Sequence, residues 1–167
     1  KLLAYSEQYI EQQAVAGTLE VDENGNFTYQ DNRSACFGSC EVTAGSFSGT
    51  FTAPDAKNTA VLRAKCIAEA QLRAPGLPAS GDRVALMSNS NAEAARFAKG
   101  LLRNANKYGH TGQFSKALLT GYAAASLLQL KTDKASAWNG PVFIYKVRHD
   151  FVGNKSTLYF RDLLEGY

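Results

Sequence analysis

Apolar residues recur at close to the helical period in four stretches of the chain, which predicts four helices. The first runs from Leu2 to Ala16, and the second opens at Pro54 and continues through about Ala74. The third covers Asn91 to Lys107 and the fourth Phe114 to about Lys131. Small residues every fourth position on the fourth helix predict a close helix–helix contact across Ala117, Gly121 and Ala125.

Two pairs of short segments show strand patterns, and each pair predicts a β-hairpin. Thr18–Val21 and Phe27–Tyr29 flank a connection containing Asn24-Gly25, a dipeptide typical of tight hairpin turns. Near the other end, Val142–Val147 and Thr157–Phe160 are joined by a connection that includes Asp150–Lys155.

Residues 30–54 differ in composition from the rest, being rich in Gly, Ser and Thr with several Phe residues. This pattern predicts an ordered, loop-rich segment that packs against something, because exposed aromatic rings are costly. Together these features predict a helix-rich α+β fold with about four helices, a β-hairpin near each end and this loop-rich segment. The length of 167 residues predicts a single domain over residues 1–167, and the resemblance described below implies that this domain is of the linker type.

Composition and charge narrow the functional classes. The 18 Lys and Arg residues against 15 Asp and Glu leave a net charge of +3, which does not indicate nucleic-acid binding. No apolar run approaches the ~18–20 residues that a membrane-spanning helix needs. The chain begins at Lys1 rather than Met, which we interpret as a processed or trimmed product.

Catalytic and metal-binding motifs are not recognised in the sequence, and we predict a non-enzymatic protein without a metal site. The segment Gly45–Gly49 has Phe47 where a nucleophile elbow needs serine. His110 and His149 are interpreted as surface residues. For Cys36 and Cys40, a small disulfide loop, free thiols and a covalent adduct remain alternatives.

Aromatic residues in the predicted hairpins and the loop-rich segment are candidates for a protein interface, because a few aromatic anchors usually dominate binding energy. Ordinary core packing is the alternative for each of them. The candidates are Tyr29, Phe47, Phe51, Phe143 and Tyr159.

The order of several motifs resembles the gamma subunits of red-algal phycoerythrin, which are linker polypeptides of phycobilisomes. The resemblance covers roughly residues 2 to 108. It rests on a Tyr/Glu-containing first helix, an apolar stretch after Gly17, a Cys-Glu passage rich in glycine and an Ala/Arg-rich helix. These motifs are Leu2–Tyr9, Gly17–Val21, Phe27–Tyr29, Gly38–Glu41 and Leu62–Arg73.

The resemblance implies a non-enzymatic linker or scaffold subunit that organises light-harvesting antenna or photosystem subunits in a plastid. Such a subunit would be a peripheral protein of the thylakoid membrane. The implied partners are phycobiliproteins, antenna proteins or photosystem subunits. The resemblance implies that the protein needs no cofactor to act as a linker. It also implies that Cys40 is a candidate attachment site for a phycobilin, or that the chain contacts the chlorophylls of partner proteins. Two alternatives are a secreted or luminal α+β binding domain without pigment and a small thiol-dependent enzyme.

Overall fold

The computed structural model describes residues 6–54, 58–66 and 88–167. Strands make up 45% of the described structure and helices 20%. The predicted helix-rich α+β class is therefore wrong, and the described part of the chain is mainly β. The chain divides into two compact units. Unit 1 comprises Lys1–Asn32 and Lys107–Leu163, and unit 2 comprises Arg33–Asn106 and Leu164–Tyr167. The single domain predicted over residues 1–167 stays a prediction.

Unit 1 is built on a curled six-stranded sheet with the strand order β1-β7-β8-β9-β6-β2. β1 and β7 are parallel, and the other neighbours are antiparallel. Large apolar side chains fill the inner face of the curl, including Phe114, Ile144, Leu158 and Phe160. The strands are β1 (Gly17–Val21), β2 (Asn26–Asp31), β6 (His110–Ala117), β7 (Ser126–Thr132), β8 (Gly140–Asp150) and β9 (Lys155–Asp162).

The predicted N-terminal hairpin is wrong, although both of its strands exist. β1 pairs with β7 and β2 pairs with β6, so the two strands form opposite edges of the sheet. The short connection between them, residues 22–25, is held by other elements. The Asp22 carboxylate pairs with the Lys116 ammonium, and Lys134 Nζ donates to the Gly25 carbonyl at 3.1 Å. The Asn-Gly signal therefore marks a turn, but not the pairing of the strands around it.

The predicted fourth helix is also wrong. Residues 114–131 form the end of β6, a loop and most of β7. Ala117, Gly121 and Ala125 consequently share no helix face. β6 is hydrogen-bonded to β2 and β9, and β7 to β1 and β8, and these pairings outweigh the weak helical preference of the segment.

The first predicted helix is shorter in the structure, and the described part of the second contains a strand. Within Leu2–Ala16, the described helix is α1 (Glu7–Glu11), which begins where Ser6 Oγ accepts a hydrogen bond from Tyr9 N at 3.1 Å. Residues 2–5 lie outside the described part. Within Pro54–Ala74, Val61–Lys65 is a strand, β5, and residues 55–57 and 67–74 lie outside the described part.

Unit 2 contains a three-stranded sheet with the order β4-β3-β5, packed against the helix α2 (Asn91–Asn106). β3 (Ser39–Ala44) and β4 (Phe47–Thr52) form an antiparallel hairpin whose turn places Gly45 at a φ of 63°. The loop-rich segment predicted over residues 30–54 is therefore wrong. Most of it is strand, and its small residues fit a close approach: a Cβ at Gly49 would overlap the α2 backbone at Ala95.

Two predicted elements lie where the sequence pattern places them. Ser90 Oγ accepts from Glu93 N at 3.1 Å and caps α2, which covers the third predicted helix. β8 and β9 form the second predicted hairpin, with more residues in each strand than the pattern indicates.

Gly25 provides a test of how unit 1 closes. A Cβ at this buried position would overlap the Phe114 ring, which is itself fully buried in the core. We expect Gly25→Ala to lower the free energy of unfolding by about 1–3 kcal/mol through overpacking, measured by urea denaturation. Gly121→Ala is the matched control, because a Cβ there has no heavy atom within 4 Å. Equal stability of the two variants would contradict this account of the connection.

Candidate interaction surface

Three tyrosines form a cluster on the outer face of the unit 1 sheet, called here the tyrosine cluster: Tyr108, Tyr145 and Tyr159. The ring centroids of Tyr108 and Tyr145 are 5.2 Å apart in an edge-on arrangement, and those of Tyr145 and Tyr159 are 6.3 Å apart. Tyr108 is 47% exposed, and the other two are half-buried. The rings therefore present both aromatic surface and hydroxyl groups to solvent.

Two lysines lie over the rings of this cluster. Lys107 Nζ is 5.1 Å from the centroid of Tyr108, and Lys146 Nζ is 4.9 Å from that of Tyr159. Cations at these distances are attracted to the negative face of an aromatic ring. The surface therefore combines aromatic contact area with positive charge.

An irregularity in β8 brings Lys146 to this face. Ile144 is opposite Phe160, but Lys146, rather than Tyr145, is opposite Tyr159. The extra residue is a β-bulge, which locally changes the direction in which side chains point. Without it, strict alternation would place Lys146 on the same inner face as Ile144. The cation is therefore positioned by the bulge.

The pKa of Tyr145 is raised above the usual value for tyrosine. Burial is the largest cause, because it disfavours the charged phenolate, and the nearby Tyr108 and Tyr159 hydroxyls add to the effect. Tyr145 consequently stays uncharged at neutral pH and can contact a partner through a neutral hydroxyl.

Arg161 is fully buried on the same strand as Tyr159 and fastens α1 to the sheet. Its guanidinium pairs with Glu7 at 3.2 Å and Glu11 at 2.6 Å, and it lies 4.4 Å from the centroid of the Phe143 ring. Lys107 Nζ, which contacts Tyr108, is also 3.7 Å from Glu7. These ion pairs therefore hold α1 against the sheet beside the tyrosine cluster.

The inner face carries a polar group of its own. His110 is buried, stacks on Trp138 with ring centroids 3.9 Å apart, and places Nδ1 2.5 Å from Asp162 Oδ2. Because the ring is enclosed by these partners, the interpretation of His110 as a surface residue is wrong. His149 is half-buried, with Nδ1 2.8 Å from Ser156 Oγ.

The structure distributes the five predicted interface aromatics over both units. In unit 1, Tyr29 is 54% exposed, Phe143 is buried beneath Arg161, and Tyr159 belongs to the tyrosine cluster. In unit 2, Phe47 and Phe51 are half-buried and pack against the core below α2. Their interface role stays a prediction, and among the five Tyr159 is the one that belongs to the tyrosine cluster.

Cys40, the residue to which the resemblance assigned a bilin, is fully buried on β3. Burial raises the pKa of its thiol, with further contributions from Cys66 and Glu41, so the reactive thiolate is disfavoured. Cys36, Cys40 and Cys66 are not joined to one another by disulfide bonds in the structure.

Tyr108 and Tyr145 belong to the tyrosine cluster, but neither was among the interface candidates predicted from the sequence. The pattern places Tyr108 in a turn and Tyr145 in a regular strand. The tyrosines at 145 and 159 and the lysine at 146 are visible in the sequence, but their meeting depends on strand register.

The part of the chain that the structure describes contains neither a cluster of metal ligands nor a membrane-spanning helix. Within residues 6–54, 58–66 and 88–167, no group of three or more His, Cys, Asp or Glu side chains could hold a metal ion. No helix among the same residues is long and apolar enough to cross a membrane.

Comparison with known proteins identifies structural relatives. No protein family model and no curated protein matches the chain. Among solved structures, the 43 kDa tail protein of prophage MuSo2 from Shewanella oneidensis matches with a TM-score of 0.63 and 11% identity. A tail protein from Neisseria meningitidis MC58 matches with 0.59 and 9%, and a chain of the virion of a native gene transfer agent particle with 0.52 and 12%.

Each match covers 90% of this chain, and 43%, 45% and 32% of the respective relatives. The chain thus spans less than half the length of the solved proteins it matches. At these identities the likeness establishes a shared fold.

These relatives overturn the resemblance to phycoerythrin gamma subunits. The inferences that depended on it are also contradicted: the plastid and thylakoid location, the light-harvesting linker function, and the phycobiliprotein, antenna and photosystem partners. The secreted or luminal binding domain is likewise unsupported. The motifs that carried the resemblance are short, and most of their described residues lie in strands.

Arg161 allows a test of the ion pairs below the tyrosine cluster. We expect Arg161→Leu to lower the free energy of unfolding by about 3–5 kcal/mol, because it removes the buried cation that pairs with the buried Glu11 carboxylate, whereas Glu7 keeps Lys107. Chemical denaturation measures the change. Lys155→Leu, which removes an exposed cation from the same strand, is expected to stay within about 0.5 kcal/mol of the wild type. A similar effect of both substitutions would show that the pairing contributes little.

The raised pKa of Tyr145 predicts a pH dependence. The folded chain favours the neutral phenol, so this contribution to stability is complete below the ordinary tyrosine pKa of about 10 and is lost as the pH rises through the raised value. We expect the wild type to lose stability more steeply than Tyr145→Phe above about pH 10. Denaturation at a series of pH values measures both curves. Parallel curves would mean that Tyr145 ionises normally in the folded chain.

Proposed function

We propose that the chain is a structural subunit of a tail-like or virion-like particle and acts through protein–protein contacts rather than catalysis. The observation that carries this proposal is the fold, which the chain shares over 90% of its length with two tail proteins and a chain of a virion. Because the chain spans less than half of each of those proteins, the proposal concerns the role of this portion of such a subunit.

The tyrosine cluster is the proposed contact surface of unit 1. Tyrosine is enriched in protein interfaces because it supplies a large rigid ring and a hydrogen-bonding hydroxyl at small entropic cost. Lys107 and Lys146 add positive charge beside the rings. A protein of the same particle that presents carboxylates around an apolar patch fits this surface.

The sheet beneath the cluster supports this role. Tyr159 and Arg161 lie on β9, which is paired on both sides, with β8 and with β6. An interface built on a paired strand is held more precisely than one on a loop. Subunits of an assembly need such fixed surfaces, because a small error in one contact repeats through the particle.

The particle proposal is tested by fractionation. Particles are purified on a density gradient from cells that produce the protein natively, and its peptides are quantified by mass spectrometry. We expect the protein in the particle fraction, with enrichment over abundant soluble proteins of the same cells. Its recovery only as free protein, from cells that do produce particles, would contradict the proposal.

The contact surface is tested separately in the same cells. We expect the double variant Tyr108→Ser/Lys146→Glu to be incorporated about tenfold less than the wild type, because it removes an exposed ring and reverses an exposed charge. Lys131→Glu is the matched control, since Lys131 is an exposed lysine on β7 of the same sheet. Normal incorporation of both variants would exclude the tyrosine cluster as the interface while leaving the particle proposal standing.

A further inference from the structure

The turn between β8 and β9 exposes two adjacent apolar residues. Phe151 is 74% exposed and Val152 is 100% exposed. Turn positions usually carry Gly, Pro, Asn, Asp or Ser, so an apolar pair here departs from the local rule. Such departures are expected at functional sites. Residues 151–154 are called here the hairpin tip.

The hairpin tip projects from the sheet and is held in shape. β7 pairs with β8 only over Gly140–Ile144, so among the described strands the part of β8 leading to the tip is paired with β9 alone. Asp150 Oδ1 accepts a hydrogen bond from Gly153 N at 2.9 Å, and Asn154 adopts a left-handed φ of 47°. The two apolar side chains are therefore presented on an ordered turn.

A cleft of about 370 Å³ lies elsewhere in unit 1, between the start of β1 and the loop that precedes β7. Tyr122 closes one side, where its hydroxyl donates to the Thr18 carbonyl at 3.4 Å. Small residues and Leu128 line most of the remainder, and none of the lining residues is charged. A Cβ at Gly121 would meet no heavy atom within 4 Å, so the cleft is open at that point.

We propose that the hairpin tip of one copy of this chain docks into the cleft of a second copy. Phe151 and Val152 are apolar, and no charged residue belongs to the tip or lines the cleft. The cleft volume lies near the lower end of the range of ~300–1,000 Å³ for ligand pockets, which suits an aromatic and a β-branched side chain. Val152 is fully exposed, so the tip does not fill the cleft of its own copy.

Two different surfaces meet in this contact, so the association is head-to-tail. Each copy keeps a free cleft or a free tip, and further copies add until a ring closes or a filament grows. A subunit of a particle must assemble repeatedly in this way. The inference therefore rests on the proposed function as a particle subunit. The partner it names is a second copy of the chain.

The size of the contact sets the expected affinity. Stable complexes bury roughly 800 Å² per partner, and a large aromatic side chain supplies about 150–250 Å². The tip therefore covers only part of a stable interface. We expect association of isolated copies in the micromolar to millimolar range, strengthened when several contacts act together.

Sedimentation velocity on the full chain, at concentrations up to about 1 mM, measures the association. We expect the mean mass of the wild type to rise with concentration beyond that of a dimer. The tip variant Phe151→Ser/Val152→Ser and the cleft variant Gly121→Leu should each associate at least tenfold more weakly. Gly100→Leu is the matched control, because it makes the same change at an exposed glycine of α2 where a Cβ also meets nothing, and it should associate like the wild type.

Mixing the two variants distinguishes this contact from others. The tip variant retains its cleft and the cleft variant retains its tip, so an equimolar mixture should form a heterodimer and nothing larger. If Gly121→Leu impairs folding, as judged by its melting curve, Gly17→Val is the second cleft variant, since a Cβ at Gly17 meets only Leu128 at 4.0 Å.

Three results would overturn the inference. They are a wild type that stays monomeric throughout, a well-folded cleft variant that associates normally, and a mixture of the two variants that forms no heterodimer. Because these measurements use the isolated chain, they can fail while the protein is still found in particles. Conversely, self-association would stand if fractionation placed the protein outside particles.

Discussion

The curl of the unit 1 sheet depends on the short connection at residues 22–25. β1 and β2 are opposite edges of a six-stranded sheet, and yet only these residues separate them along the chain. A flat sheet of this order would hold its edges about 24 Å apart at ~4.8 Å per strand, farther than so short a segment can span. The edges must therefore approach each other, and the apolar inner face becomes enclosed. Lys116 and Lys134 hold the connection, and Gly25 lets it pass close to Phe114.

Local patterns in the sequence predicted several strands, but they could not predict how distant strands pair. Alternation identified the strands around residues 18–21, 27–29, 142–147 and 157–160, because it reflects which side chains face the core. The pairing of β1 with β7 could not be read in this way, since the two strands are separated by more than 100 residues. The segment 114–131 misled for a related reason. Its small and apolar residues suit a helix locally, and only distant strands make it part of a sheet.

The tyrosine cluster could also be predicted only in part from the sequence. Tyr159 is recognisable as a possible interface residue because it is aromatic and lies in a strand. Alternation alone would place Tyr145 on the same face as Tyr159. Lys146 reaches that face only because β8 carries a bulge, and a bulge depends on the register of the paired strands. Phe143 is also aromatic and lies on the adjacent strand, but it is covered by Arg161. Residue type alone therefore does not distinguish aromatic residues that are available for a partner from those that are covered by other side chains.

The interruption of unit 1 by residues 33–106 affects how the chain folds during synthesis. β1 and β2 leave the ribosome first, but their partners β7 and β6 follow only after the whole of that segment. At translation rates of about 5–20 residues per second, β2 waits unpaired for roughly 4–16 s and β1 for roughly 5–21 s. Unpaired apolar strands are prone to association with other chains. β2 is mainly polar and stays largely exposed even after folding, so it offers little apolar surface for such association during this delay.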